Sequence, residues 1–331
     1  MNTPSPIAVV TGGSGFVGSH LVDLLLEKGY EVRCAVRRSS NLQWLQNKPV
    51  KLYYVNLTEK DQLSEILTNA QYIFHVAGTV KSLTPEGYYK GNVHTTQILL
   101  DAALQYAPNI NRIVVVSSLS ASGIAPQPDH IITENQICKP LTQYGHSKLA
   151  QEQLCQQYFD KIPITIIRPP AIYGERDVDI LLFFKSCYKG LIATTRHEQQ
   201  FSLVYVGDVV NGMLQAALSP KAQSQTYFIS SERGYFWHEV ADIVSQHSGK
   251  KAITLRFPNW GVRGISAIAE YVGRVRKQAA ILNIDKANEM VQKSWVCSSE
   301  KAKLDFGYRP LTTLEKGIPQ TLRWYEQMKW L

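Results

Sequence analysis

Tyr144 and Lys148 stand four residues apart in Tyr144-Gly145-His146-Ser147-Lys148, which opens a stretch of helical pattern, so the two side chains share one face. A phenol loses its proton near pH 10 and is a poor base at neutrality; a neighbouring ammonium favours the phenolate and brings the group into the range of acid/base work. Ser118, in Val114-Val115-Val116-Ser117-Ser118, follows directly on an apolar run that reads as a strand. Open α/β sheets bind ligands at the carboxyl ends of their strands, so a hydroxyl there faces the site. Taken singly, each feature also has an ordinary reading, a helix-surface pair and a turn-capping serine. Taken together, they point to proton exchange with a substrate oxygen.

The element that must position them lies at the start of the chain. Ile7-Ala8-Val9-Val10-Thr11-Gly12-Gly13-Ser14-Gly15-Phe16-Val17-Gly18 is an apolar strand that breaks into glycines and re-emerges as the helical pattern Ser19 to Lys28. Gly12 suits a tight turn, Gly15 lets backbone approach a pyrophosphate, and Gly18 lets the helix pack closely on the strand. The N–H groups of the helix start then face negative charge. A second strand, Val32 to Val36, begins where a βαβ unit needs it. Further strands are expected at Lys51 to Val55, Tyr72 to Ala77, Arg112 to Ser117 and Ile164 to Arg168, alternating with helices at Gln62 to Leu67, Asn92 to Tyr106 and Tyr144 to Phe159. That alternation predicts an α/β fold, a Rossmann-type doubly wound parallel sheet with a smaller discontinuous C-terminal cap.

The expected division is a nucleotide-binding domain over 1–174, rejoined by 202–218, with 175–201 and 219–331 forming mainly the substrate-binding cap. In that second half short strands (Ser202 to Val206, Thr226 to Ser230) mix with helices at Asp179 to Tyr188, Asp208 to Leu218, Trp237 to His247, Val262 to Lys277 and Leu314 to Met328. The 262–277 segment reads either as a basic amphipathic helix touching a membrane or as a cap helix whose apolar face the rest of the cap covers, and the second reading asks for nothing unusual.

The 331 residues suffice for a full core, and 44% hydrophobic with 19% charged residues is ordinary for a globular protein. A net charge of +8 without a basic patch interleaved with aromatics excludes a dedicated nucleic-acid binder. Five cysteines without C-x-x-C spacing give neither a disulfide framework nor a metal site, which fits a reducing compartment. No apolar run reaches the roughly 18 residues of an integral membrane segment. The expected localisation is cytoplasmic.

In these residues the sequence resembles the extended short-chain dehydrogenase/reductase family, the NAD(P)-dependent epimerase/dehydratase superfamily. Its members include nucleotide-sugar epimerases, 3β-hydroxysteroid dehydrogenases and dihydroflavonol reductases. The resemblance rests on Thr11 to Gly18, His75-Val76-Ala77-Gly78, Asn92-Val93, Ser117-Ser118, Tyr144 to Lys148, Arg168-Pro169-Pro170-Ala171-Ile172-Tyr173-Gly174, Val206-Gly207-Asp208-Val209 and Phe306-Gly307-Tyr308-Arg309-Pro310. It implies Tyr144 as acid/base, Lys148 as the residue that holds the nicotinamide ribose and lowers the tyrosine pKa, and Ser118 as a hydrogen-bond partner of the reacting oxygen. It also implies a cofactor site of Gly12, Gly15, Phe16, Val17, Gly18, Asn56, Leu57, Ala77, Gly78, Tyr144, Lys148, Pro169 and Ile172. Asn56-Leu57 stands where the family often has Asp-Leu near the adenine.

An NAD enzyme usually places a carboxylate at the end of its second strand, whereas a 2′-phosphate calls for arginine. Here Val36 occupies that position and Arg37 and Arg38 follow, so NADP(H) is the expected cofactor, with NAD(H) as the alternative. Ala171 replaces the asparagine that binds the diphosphate sugar in many epimerases of the family, which favours the hydroxysteroid dehydrogenase and dihydroflavonol reductase branches. The expected activity is hydride transfer between nicotinamide and a secondary alcohol/ketone or aldehyde by Ser118, Tyr144 and Lys148. The alternatives are a nucleotide-sugar epimerase/dehydratase and a non-catalytic NADP-sensing protein. Tyr188, Phe201, Tyr235, Phe236, Trp237 and Trp260 could line an apolar substrate pocket or simply pack. The partners expected are a small-molecule substrate and, through the outer faces of 92–106 and 144–159, a second copy in a homodimer.

Overall fold

The computed structural model describes residues 5–125, 130–195, 199–250, 253–276 and 284–331. Its frame is a seven-stranded, wholly parallel sheet. The strands are β1 (Ile7–Thr11), β2 (Glu31–Val36), β3 (Val50–Tyr54), β4 (Tyr72–His75), β5 (Arg112–Val116), β6 (Ile164–Arg168) and β7 (Gln225–Phe228), in spatial order β7-β6-β5-β4-β1-β2-β3. The order reverses between β1 and β4, which opens a crevice at their carboxyl ends.

Alternate strand residues feed two different cores, as a sheet covered on both faces requires. Ala8, Val10, Val32 and Cys34 pack with helix α1 (Phe16–Glu27) and with Val209, Met213 and Ala216 from 206–218. Val9, Ile73, Ile113 and Val115 pack on the opposite side with Leu99, Leu100 and Ala103 of helix α2 (Thr95–Tyr106) and with Cys155 of helix α3 (Gln143–Gln156). Each fully buried Val, Leu or Ile contributes about 1.5–3 kcal/mol. The doubly wound sheet is therefore as the alternation of the sequence predicts.

The differences from the sequence reading have local causes. β4 stops at His75 rather than Ala77, because the Val76 N–H turns to the Thr11 carbonyl (3.2 Å) and the Ala77 N–H to the Thr11 hydroxyl (3.2 Å). The helix expected from Asn92 starts as a wide π turn, Lys90–His94, before α2 proper. There the Asn92 amide faces inward to Thr79 and Ser147 rather than serving as a surface residue. A short helix at Pro85–Tyr89, capped by Thr84, was not signalled by periodicity because it is a single turn. Gln225–Phe228, inside the stretch assigned mainly to the cap, is the outermost strand of the large sheet, where its residues pair with Thr165 to Arg168.

Helix α4 (Val206–Leu218) packs beside α1, and its Asp208 accepts from the Leu311 and Thr312 N–H groups (2.9 and 3.1 Å). A third core gathers Phe184, Phe201, Tyr235, Val240, Trp295, Ile318 and Tyr325, including helices α5 (Trp237–Ser248) and α8 (Leu314–Gln327). Two further helices belong to this half, α6 (Asn259–Val275) and α7 (Ile284–Met290). Of the six aromatic side chains considered for a pocket, Phe201 and Trp237 stack on each other at 4.0 Å, and Tyr235 is buried. Tyr188 packs at the edge of the same core, its hydroxyl on Glu326, and Phe236 stacks on His238. Trp260 is 79% exposed and lines no interior pocket. The 262–277 segment likewise departs from an ordinary cap helix: within its described residues the apolar side faces solvent. Lys277 lies outside the described residues. Among the described residues, no helix is long and apolar enough to cross a membrane.

Candidate active site

The glycine turn is built by backbone proximity. Gly12 has φ of +73°, and a Cβ there would sit 2.7 Å from the Ala77 nitrogen at the end of β4. A Cβ on Gly18 would sit 2.7 Å from the Gly12 carbonyl carbon and nearer still to its oxygen. The Gly15 N–H returns to the Gly12 carbonyl at 3.0 Å, and Gly15 enters α1 in an extended conformation without any side-chain cap. No acidic residue stands in the first turn of α1. The helix therefore begins with free N–H groups beside exposed Gly15, a cradle for an anion that only a small backbone could form. These residues fit a dinucleotide pyrophosphate. Phe16 and Val17, half-buried, open the helix itself.

The other predicted residues fall at the same edge of the sheet. Ala77 and Gly78 follow β4, Ser118 follows β5, and Pro169 follows β6, its carbonyl accepting from the Leu119 N–H at 2.9 Å. Ile172 lies on the short strand Ala171–Tyr173, paired with Val204. Arg37 and Arg38 leave β2 exposed while Val36 is buried, and the Arg37 N–H is held by the Ser40 hydroxyl at 3.0 Å. Asn56 is exposed, its N–H on Gln62 and its side-chain oxygen on the Thr58 N–H, with half-buried Leu57 beneath.

The Ser118 hydroxyl, which accepts from the Ser120 N–H at 3.1 Å, stands near Tyr144 and favours its phenolate. Burial works the other way and pushes the Tyr144 phenol above its ordinary value. Lys148 is 4% exposed. Its ammonium donates to the Val116 carbonyl and to Gln151 Oε1, each at 2.8 Å, and Gly78 lies beside it. Burial brings it down to about 8, and the Glu152 carboxylate opposes that fall.

Behind Lys148 runs a buried chain of polar groups. Gln151 Nε2 donates to Thr96 Oγ1 (2.7 Å), Thr96 donates to the Asn92 carbonyl (2.6 Å), and His75 bridges Thr96 (2.9 Å) to Thr11 (2.8 Å). Burial and the Lys148 charge lower His75 to about 3, so the imidazole is neutral. Alongside, Glu152 receives the Arg168 guanidinium, with Nε at 2.9 Å, and the Ser117 hydroxyl. The glycine turn and the Tyr/Lys helix are thereby one rigid unit.

Sequence reasoning missed the residues that approach from far along the chain. Tyr88 lies 6.2 Å from the Tyr144 ring. From α7, Asp285 accepts the Gln143 N–H at 2.8 Å and Glu289 accepts the Ser120 hydroxyl at 3.1 Å. Both carboxylates thus stand over the start of α3. No local spacing signals them.

Comparison with known proteins agrees with this geometry. The pattern of the NAD dependent epimerase/dehydratase family matches residues 8–230. The chain is 25% identical to a ceramide reductase of Caulobacter vibrioides over 98% of this chain and 96% of that one. It is 28% identical to a 3 beta-hydroxysteroid dehydrogenase/Delta 5→4-isomerase of Mycobacterium tuberculosis, over 97% and 92% respectively. Among solved structures, the UDP-glucuronic acid 4-epimerase of Bacillus cereus in complex with NAD superposes with a TM-score of 0.78 at 21% identity, covering 97% of this chain and 99% of the other.

Proposed function

The chain belongs to the NAD dependent epimerase/dehydratase family and is an NAD(P)-dependent enzyme of the extended short-chain dehydrogenase/reductase type; from that premise we propose that it is an NADP-dependent oxidoreductase acting on a secondary alcohol/ketone or aldehyde. Ser118, Tyr144 and Lys148 are its catalytic residues in this reading. The nicotinamide, when bound, supplies or accepts the hydride. Tyr144 passes its hydroxyl proton to the substrate oxygen in reduction and takes it back in oxidation. Ser118 donates a second hydrogen bond to that oxygen, and the two fixed donors stabilise the charge that develops on it. Lys148, held by Val116 and Gln151, presents a charged group to the cofactor ribose.

The observation that carries the choice of cofactor and reaction is the end of β2, where buried Val36 gives way to exposed Arg37 and Arg38 and, among the described residues, no carboxylate pairs with either. A 2′-phosphate there gains charge-assisted bonds that a 2′-hydroxyl cannot match. An epimerase must keep one NAD through oxidation and re-reduction, a cycle that an NADP-type site does not favour. A small neutral substrate and a homodimer through the outer faces of α2 and α3 belong to the same proposal.

The test begins with protein purified without added cofactor, denatured, and examined for released nucleotide, followed by titration of the emptied protein with NADPH and NADH. NADPH should bind about 10- to 100-fold more tightly, and Arg37→Ala should remove most of that margin. Stoichiometric retained NAD, or equal affinities, would overturn the proposal in favour of the epimerase.

A further inference from the structure

Outside the cleft, α6 is packed the wrong way round for a cap helix. Its inner side is small or polar: Val262, Ser266 and Gly273 are buried, and the Ser266 hydroxyl satisfies itself on the Val262 carbonyl at 2.8 Å. Its outer side carries Trp260, Ile268, Tyr271 and Val275, which follow one another at eight, three and four residues, so share one helical face, and are 79%, 67%, 69% and 68% exposed. Ile265 and Val272 widen the same face. The strand Ile253–Phe257, which leads into the helix, adds exposed Ile253 and Leu255. A globular helix turns such a stripe inward, and an exposed contiguous apolar patch of this kind marks a surface that meets an apolar partner.

The charges around the patch identify the partner. Arg263 and Arg276, both exposed, stand on its two edges, and Arg256 stands on the adjoining strand. Glu270 is the only acidic residue between 253 and 276, and its carboxylate accepts the Ile284 N–H at 3.0 Å, on the side of α7. Apolar side chains bordered by arginines whose long stems reach back to headgroup level are what an anionic lipid surface recognises. A second copy of the chain fits less well, because an isologous contact would bring the same cationic rim against itself. We propose that the outer face of α6 docks this protein on an anionic lipid bilayer.

The docking face and the catalytic cleft are mechanically continuous. Glu270 ties α6 to the start of α7, and α7 reaches the cleft through Asp285 on Gln143 and Glu289 on Ser120. If the oxidoreductase reading above holds, a substrate dissolved in the bilayer would meet the cleft beside α7. That extension rests on the proposed function; the docking itself does not.

The experiment is sedimentation of the full chain with vesicles of phosphatidylcholine alone and of phosphatidylcholine mixed with phosphatidylglycerol. The protein should pellet with the mixed vesicles and much less with the neutral ones. Ile268→Ser with Tyr271→Ser, both at solvent-facing positions and so neutral for folding, should cut partitioning about 100-fold. Arg263→Gln with Arg276→Gln should cut it about 30-fold on the anionic vesicles only. Protein that stays in the supernatant with mixed vesicles overturns the proposal, as does binding indifferent to the Ile268/Tyr271 pair. A lipid-free dimer that this pair converts to monomer assigns the face to a second copy instead. None of these readouts requires cofactor or turnover, so a failed substrate screen leaves the result intact.

Discussion

Replacing Glu152 by Gln isolates the term that keeps the Lys148 ammonium charged inside the protein. The two residues are one helical turn apart, about 6 Å between side-chain positions. At an effective dielectric of about 20 a unit charge at that distance is worth about 3 kcal/mol, or about two pKa units. The Arg168 guanidinium on Glu152 does not shrink this difference, because it remains when the carboxylate is removed. Water entering beside the neutral amide trims the effect to about one unit. Lys148, at about 8 in the free chain, should therefore fall to about 7 in the variant. Affinity for NADPH, measured by fluorescence titration across pH 6 to 9, declines above the Lys148 pKa, so the bend in the wild-type curve near 8 should move acidward by about one unit. The variant also leaves a buried arginine uncompensated, a loss of about 3 kcal/mol or more in stability, so the titrations are run well below its melting temperature. A bend at the same pH in both proteins would refute the claim that Glu152 sustains the ammonium.

Tyr144→Phe should abolish turnover while changing NADPH affinity less than about threefold, since the ring stays and only the proton donor is lost; a variant that keeps full activity contradicts its role as acid/base. His75 has a folded pKa of about 3 against about 6.5 unfolded, so its contribution is intact above 6.5 and is lost as pH falls toward 3. His75→Gln should consequently flatten the acid limb of the stability curve by about 2.5 kcal/mol between pH 7 and pH 4.5, read by urea unfolding at those two values, and an unchanged limb counts against it. Gly18→Ala drives a methyl into the Gly12 carbonyl and should weaken dinucleotide binding at least about tenfold with a loss of about 2 kcal/mol in stability; unaltered binding by calorimetry would remove the close-approach argument.

The polar chain from Thr11 through His75, Thr96 and Gln151 to Lys148 explains why these perturbations cannot be treated as independent. Each member is buried and has two or three fixed partners, so loss of one donor leaves the next acceptor unpaired in the interior. It also gives a physical reason for the π turn at Lys90–His94. The wider turn places the Asn92 amide where it can bond both Thr79 and Ser147, and it sets Thr96 under His75.

What the sequence makes legible is whatever depends on spacing along a single element. The glycine turn, the Tyr144/Lys148 pair and the strand-end position of Ser118 are of that kind, and so is the alternation that yields the parallel sheet. Two other kinds of information lie elsewhere. Tyr88, Asp285 and Glu289 reach the neighbourhood of Tyr144 by chain return, Glu289 from 145 residues away in sequence, and nothing local encodes that approach. The second kind concerns which side of an amphipathic helix faces in. Read by polarity alone, α3 is a polar helix with an outward polar face, yet Ser147, Lys148, Gln151 and Glu152 are all buried, because each is satisfied inside by a hydrogen bond to Asn92, Val116, Thr96 or Arg168. α6 makes the converse error available: its periodicity predicts an apolar stripe, and ordinary packing would turn that stripe inward, but here Val262, Ser266 and Gly273 face the interior and Trp260, Ile268, Tyr271 and Val275 face solvent. Periodicity fixes that a helix has two unlike faces; which face is covered depends on what the rest of the chain has left to cover, and in α6 that leaves the apolar face for a partner outside the chain.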